Sequence, residues 1–333
     1  MKLEQMPRYP LLCGFTPLQR MENLEQALGC GPLYIKRDDL TPLGLGGNKT
    51  RKLEFLLGDA LAGGADTLVT VGGVQTNHGR LTAAAAAKAG LACTLVLDGA
   101  RPEKLSGNLL LDCLLGASLV YTDGRSTSAV IEETLAALRA AGRAPYFIPE
   151  GGSNAVGRAG YLAMVPELLA QADSLPVPPA RLVCTMGSLG TFAGLWLGAR
   201  AFGAPFSVTG VAVNPTTGYT REKAAALVNE MSAAYGLDIA AAPQDMDIIY
   251  ADAAHDYAGP GYNVPDAKTR GAVELLARTE GIFLDPCYTA KSFRGFCDIA
   301  RELDGGAIFV HTGGTPALWT QEHLDAFAAD YWN

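Results

Sequence analysis

Gly44-Leu45-Gly46-Gly47-Asn48-Lys49-Thr50-Arg51-Lys52 is a glycine-rich turn that runs straight into an amphipathic helix. Leu53, Leu56, Leu57, Ala60 and Leu61 follow at helical spacing and form one stripe. Lys49 therefore falls at or just before a helix N-terminus, where the positive end of the helix dipole disfavours an ammonium group. Partial burial lowers a lysine pKa further. A lysine that is neutral part of the time is a nucleophile, and its natural use is a Schiff base with an aldehyde. Two plainer readings stand beside this one, a solvated or anion-binding lysine and a nucleotide loop. The phosphate-binding P-loop places glycine immediately before its lysine, and here Asn48 takes that place. A dinucleotide fingerprint fails too, because Gly44-Leu45-Gly46 has no third glycine three residues on.

Outward from this turn, apolar strands alternate with helices. Strands are expected at 32–37, 66–71, 91–97, 118–121, 145–148, 181–185, 206–213, 247–250, 282–284 and 307–311. Helices are expected over 24–28, 81–88 and 130–139, and as one long element over 156–172. Nearly all-apolar strands alternating with helices predict an α/β fold with open, mostly parallel sheets covered on both faces. Residues 251–265 are too rich in glycine and proline for either element, and a loop of that length tends to be functional.

The 333 residues suffice for two domains. With 49% hydrophobic and 18% charged residues, a large core is expected. A net charge of -8 without a lysine-arginine block argues against nucleic acid or an anionic membrane as partner. Met1 to Gln5 lacks the apolar core of a signal peptide, and the richest apolar run, 81–97, is interrupted by Lys88 and Gly90. Seven cysteines, none in C-x-x-C spacing, point to reduced thiols and a cytoplasmic protein. Four scattered histidines argue against a metal centre.

Ligands of open parallel sheets bind beyond the carboxyl ends of the strands. There the chain offers Gly72 to Arg80, Met186 to Gly194, Asp285 to Thr289 and Thr312 to Thr315, all rich in small or hydroxylated residues. Gly187-Ser188-Leu189-Gly190-Thr191 has the pattern of a phosphate cup at a helix start, or of a plain tight turn. Thr76-Asn77 suits a substrate carboxylate or serves only as an N-cap. His78 reads as a helix-start hydrogen-bonder rather than a base, and Tyr262 and Tyr288 lie in breaker-rich segments. A nucleophilic lysine, a phosphate cup and small hydroxyl-bearing loops are together what pyridoxal phosphate needs.

Gly46-Gly47-Asn48-Lys49-Thr50-Arg51-Lys52-Leu53-Glu54, Gly72-Gly73-Val74-Gln75-Thr76-Asn77-His78, Asp285-Pro286-Cys287-Tyr288-Thr289 and His311-Thr312-Gly313-Gly314 resemble the D-cysteine desulfhydrase / 1-aminocyclopropane-1-carboxylate deaminase family. The resemblance runs in order from about residue 10 to 325. It implies a pyridoxal-phosphate enzyme of the tryptophan synthase β-subunit fold (fold type II), acting on a small amino acid as a homodimer. It implies a larger domain from residues 1–50 and 156–333, and a smaller inserted domain from 51–155. By resemblance, Lys49 is the Schiff-base lysine and moves the α-proton. Asn77 contacts the ring hydroxyl, and Thr76, Asn77 and His78 line the carboxylate site. Gly187, Ser188, Leu189, Gly190 and Thr191 bind phosphate. Tyr288, Tyr262 and Thr289 face the substrate, and Thr312 lies at the pyridine nitrogen. The ring-opening branch carries glutamate and leucine at the positions of Thr289 and Thr312, so two threonines imply α,β-elimination. D-Cysteine is then the first substrate, with L-cysteate or the cyclopropane amino acid as alternatives; Arg80, Lys291 or Arg294 are the cations a sulfonate would use. Outside that family stands a phosphate- or nucleotide-binding protein. The chain departs from the pattern at Thr76, where serine is usual, at Gly79, where a larger residue is, and at Leu189, Asn263 and Cys287.

Overall fold

The structure is a computed structural model that describes residues 3–214, 220–250, 255–264 and 266–332. Among these, ten strands build two sheets: β1 (Leu18–Arg20), β2 (Leu33–Arg37), β3 (Thr67–Gly73), β4 (Ala92–Asp98), β5 (Ser118–Tyr121), β6 (Pro145–Ile148), β7 (Pro179–Met186), β8 (Ser207–Ala212), β9 (Asp247–Ile249) and β10 (Gly306–His311). The larger sheet has the order β1-β2-β10-β7-β8-β9 and the smaller one β5-β4-β3-β6. Every pairing is parallel except that of β1 with β2.

Both faces of the larger sheet are buried, which is why its strands are apolar without alternation. Leu182, Cys184, Met186 and Ile308 pack on one side with Phe192 and Leu168. Val183, Val211, Phe309 and Ile35 pack on the other with Phe293 and Phe296. The helix Lys49–Ala62 lies between the two sheets. Leu53, Leu56, Leu57 and Ala60 join the core of the smaller sheet, while Phe55 joins that of the larger one. Leu61, the last member of the expected stripe, is at the surface instead. The helix is therefore buried nearly all round rather than on one stripe.

The expected strands form, with three corrections. Ile282-Phe283-Leu284 alternates buried, exposed, buried like a strand, but joins no sheet; the His311 ring holds the Phe283 carbonyl at 2.9 Å. The long helix is two helices, Ala155–Leu162 and Met164–Ala172, because Pro166 has no N–H for the Leu162 carbonyl. The three-residue edge strand β1 is not among the expected strands. Of the expected loop at 251–265, residues 251–254 and 265 lie outside the described residues; 255–264 contain no helix or strand.

Candidate active site

The glycine turn before Lys49 is dictated by backbone crowding. Gly46 has φ +72°, and a Cβ there would lie 1.8 Å from the Asp39 carbonyl. The Asn48 N–H then donates to the Thr312 carbonyl at 2.9 Å, which stitches the turn to the end of β10. On the far side of the helix, the Arg51 guanidinium sits 2.8 Å from Asp38 and 2.9 Å from Glu167, all three buried. These contacts fix the first helical turn and point Lys49 into a cavity. The wall of that cavity includes Asn48, Thr76, Asn77, His78, Glu150, Gly151, Ser188, Thr191, Tyr262, Tyr288 and Thr312.

The Lys49 amine touches Asn48 Oδ1 at 3.1 Å. Burial, reinforced by the Arg80 charge, lowers its pKa to about 8 from 10.5, although Asp285 and Glu150 pull the other way. The expected direction holds, and its leading cause is burial. The free amine, which exists above the pKa, is the reactive form. Capture of pyridoxal phosphate by the apoprotein is therefore expected to accelerate with pH around a midpoint near 8 rather than 10.5. Stopped-flow absorbance across pH 6–10, a range chosen to bracket about 8, checks this.

The expected phosphate cup opens the helix Leu189–Ala201. Ser188, at its N-cap, makes no capping bond, so the first N–H groups of the helix are left to an outside anion. Leu189 is the first helical residue and so meets its requirement for negative φ. A Cβ at Gly190 would lie 2.9 Å from Ser153 Oγ and 3.1 Å from Lys52 Nζ. Lys52 is buried, donates to the Gly151 carbonyl at 3.0 Å and Ser153 Oγ at 3.2 Å, and has its pKa pushed well down by burial and then by Lys49. An uncapped helix start, a buried amine beside it and the Ser153, Ser188 and Thr191 hydroxyls fit a phosphate dianion. Lys49 fits an aldehyde. The residues present thus suit pyridoxal phosphate. Sequence reasoning missed Lys52 as part of the cup. The available signal was its position three residues after Lys49, on the same helix face. Ser153 and the turn Glu150–Gly152 directly follow β6, so the strand-end rule applied to 145–148 was the signal for them.

At the opposite wall, Thr76 caps the helix Asn77–Ala89 by accepting from Gly79 N at 3.3 Å. Both readings of Thr76-Asn77 are compatible, because the N–H groups of Asn77 and His78 still have no carbonyl one turn back. Gly79 explains Thr76. A Cβ on Gly79 would lie 2.4 Å from the Thr76 methyl, so the added methyl and the lost side chain are one exchange of volume. Asn77 Oδ1 is held by Asn108 Nδ2 at 3.0 Å and by Arg80 Nη1 at 3.3 Å, which leaves its own Nδ2 to donate. His78 Nε2 lies 2.9 Å from Thr70 Oγ1, whose proton goes to the Ile148 carbonyl at 2.8 Å. The His78 ring must then donate through Nε2, and its buried Nδ1 is a bare acceptor. Burial and the two lysines hold its pKa well down. The ring offers no N–H to a carboxylate; any such contact comes from the His78 backbone.

Tyr288 donates to the Tyr262 hydroxyl at 2.8 Å, and their rings meet edge to face at 5.6 Å. Burial raises both phenol pKa values, so both stay protonated at neutral pH. Asn263 adopts φ +55°, a left-handed conformation that asparagine reaches more readily than most residues. Thr289 is the one expected substrate contact that turns away. Its hydroxyl donates to Asp285 Oδ1 at 2.6 Å, it is fully buried, and it is absent from the cavity wall. The Asp285 carboxylate also accepts from the N–H groups of Cys287, Tyr288 and Thr289 at 3.0, 2.8 and 2.7 Å. Thr289 thus completes an N-terminal anion cap. The three sulfonate candidates are also off the wall. Arg80 donates to the Gly46 carbonyl and Asn108 Oδ1, each at 2.7 Å, and Lys291 to the Gly261 carbonyl at 2.7 Å. Arg294 stacks over Tyr257 at 5.6 Å. Among the described residues no cluster could hold a metal ion.

A family model described as pyridoxal-phosphate dependent enzyme matches residues 10–313. A D-cysteine desulfhydrase of Yersinia enterocolitica is 41% identical over 328 residues, spanning 96% of this chain and 97% of that one. A putative 1-aminocyclopropane-1-carboxylate deaminase of Pyrococcus abyssi is 39% identical over 322 residues, 95% of this chain and 94% of that one. A solved structure of an ACC deaminase homologue superposes with TM-score 0.88 at 36% identity, covering 98% of this chain and 97% of the other. A fungal L-serine ammonia-lyase from Rhizomucor miehei, at 19% identity and TM-score 0.65, shares the fold. The match covers both chain segments that meet at Lys49, and with it the chain belongs to the pyridoxal-phosphate dependent enzymes.

Proposed function

We propose that this enzyme eliminates the β-substituent of a β-substituted alanine, with D-cysteine as first substrate. One D-cysteine and one water give pyruvate, ammonia and hydrogen sulfide. The observation that carries the reading is the uncharged wall at Thr312. Its carbonyl is tied to Asn48 and its side chain offers a hydroxyl. A hydroxyl can hydrogen-bond a pyridine nitrogen without keeping it protonated, which makes a weaker electron sink. That suffices when a good leaving group departs soon after the α-proton; opening an unactivated ring has no such help.

Pyridoxal phosphate, when bound, supplies the electron sink. The chain does the rest. Lys49 Nζ removes the α-proton, a role its lowered pKa supports. The Thr76 hydroxyl and the N–H groups of Asn77 and His78 orient the carboxylate, and Asn77 Nδ2 faces the ring hydroxyl. Lys52 joins Gly187 to Thr191 at the phosphate. Tyr262 and Tyr288 close the substrate side as protonated phenols. We assign residues 1–50 and 156–333 to a larger domain and 51–155 to a smaller one, in line with the membership of the two sheets. A homodimer is supported by the apolar side chains Leu105, Leu110, Leu114 and Trp319 exposed around the helix Gly107–Leu114. A reducing cytoplasmic setting is supported by seven free cysteines.

The test compares kcat/KM for D-cysteine and for the cyclopropane amino acid, with pyruvate, sulfide and 2-oxobutyrate assayed together. We expect at least about a tenfold preference for elimination. The reading fails if the cyclopropane amino acid is turned over better than every β-substituted alanine tried, the outcome that the name of the Pyrococcus relative favours.

A further inference from the structure

The ionisable side chains on the cavity wall are Lys49, His78, Glu150, Tyr262 and Tyr288. Lys49 is committed to the cofactor, His78 is neutral and both tyrosines stay protonated. On the wall itself the fixed charge left to meet a substrate side chain is the Glu150 carboxylate; Arg80 and Asp285, opposite in sign, act on Lys49 from behind it. Glu150 is exposed and opens the turn Glu150–Gly152. That turn lies against the reactive lysine: a Cβ on Gly151 would be 3.8 Å from Lys49 Cε, and the Glu150 charge acts on the Lys49 amine. The two lysines beside this turn, Lys49 and Lys52, are assigned to the aldehyde and the phosphate of the cofactor. Among the described residues no arginine lines the cavity, and Arg80, Lys291 and Arg294 are engaged elsewhere. The undescribed internal residues, 215–219, 251–254 and 265, contain no lysine, arginine or histidine.

We propose that Glu150 is a specificity-determining residue that excludes amino acids with an anionic β-substituent, such as a sulfonate or phosphate ester, and leaves neutral β-substituents as the substrate class. This rests on the elimination reading above. A carboxylate at the mouth of a low-dielectric cleft acts on a second anion at several ångströms, and because Glu150 is exposed its effect is screened by salt.

The experiment measures kcat/KM for β-chloroalanine, which is neutral, and for cysteate, which is a sulfonate, each as both enantiomers. Wild type, Glu150→Gln and Glu150→Arg are compared as holoenzymes, with the visible cofactor band reporting correct folding. We expect the cysteate to chloroalanine ratio to rise about tenfold in Glu150→Gln and about a hundredfold in Glu150→Arg. Added salt should raise the wild-type ratio and lower that of Glu150→Arg. A ratio unchanged within about twofold in both variants overturns the proposal, as does a wild type that already takes cysteate as well as chloroalanine. Failure of every form, wild type included, to turn over either enantiomer of chloroalanine overturns the elimination reading and this inference with it.

Discussion

Lys49→Ala is expected to abolish the covalent attachment of pyridoxal phosphate and to lower kcat by at least about 10³-fold, because Lys49 is proposed both to hold the aldehyde and to move the proton. The fold should survive, since the Lys49 amine contacts only Asn48 Oδ1 while Arg51 anchors the helix from the opposite side. Lys52→Ala should behave differently. The linkage should remain while the cofactor dissociates about tenfold more readily, the usual worth of one charge-assisted bond to phosphate. Borohydride reduction followed by peptide mass mapping distinguishes the two. A tag found on Lys52 in the wild-type protein refutes the assignment.

Gly190→Asp is the second large effect. The new side chain enters a space bounded by Ser153 Oγ at 2.9 Å and Lys52 Nζ at 3.1 Å, in the first turn of the helix that faces the phosphate. It brings a carboxylate beside a dianion and captures the Lys52 amine for itself. Cofactor affinity should fall roughly 100-fold, about 2.7 kcal/mol. Equilibrium titration of the apoprotein at limiting cofactor measures it, and normal occupancy would place the phosphate elsewhere.

The fold was largely legible because both sheets are covered on both faces, so β3, β4, β7 and β10 appear as largely apolar runs without strict alternation. Elements fixed by single contacts were not. Ile282 and Leu284 are buried like strand residues, but whether a segment pairs or merely lies in the core is decided by its neighbours in space. Pro166 was visible, yet its cost falls on the Leu162 carbonyl rather than on its own position. In the site, Lys49 and the Gly187 to Thr191 cup follow from local pattern. The clamp on Asn77 follows only in part: Arg80 is three residues on in the same helix, but Asn108 meets Asn77 only after the helices Asn77–Ala89 and Gly107–Leu114 pack. Thr289 was expected at the substrate by resemblance alone; Asp285, four residues earlier, claims its hydroxyl.

The stitch from Asn48 N–H to the Thr312 carbonyl also sets the order in which a newly made chain acquires its chemistry. The smaller sheet is drawn from one contiguous stretch, β3 to β6, and is complete in sequence by Ile148. In the larger sheet β10 lies between β2 and β7, so a slot stays open until His311 has been synthesised. Domains assemble as units during translation, N-terminal parts first. The reactive lysine therefore leaves the ribosome well before the wall opposite it. A chain made only as far as Ile148 has the nucleophile but lacks the Thr312 wall, so the cavity is enclosed only once β10 has docked between β2 and β7. Cofactor is therefore expected to load after that docking step.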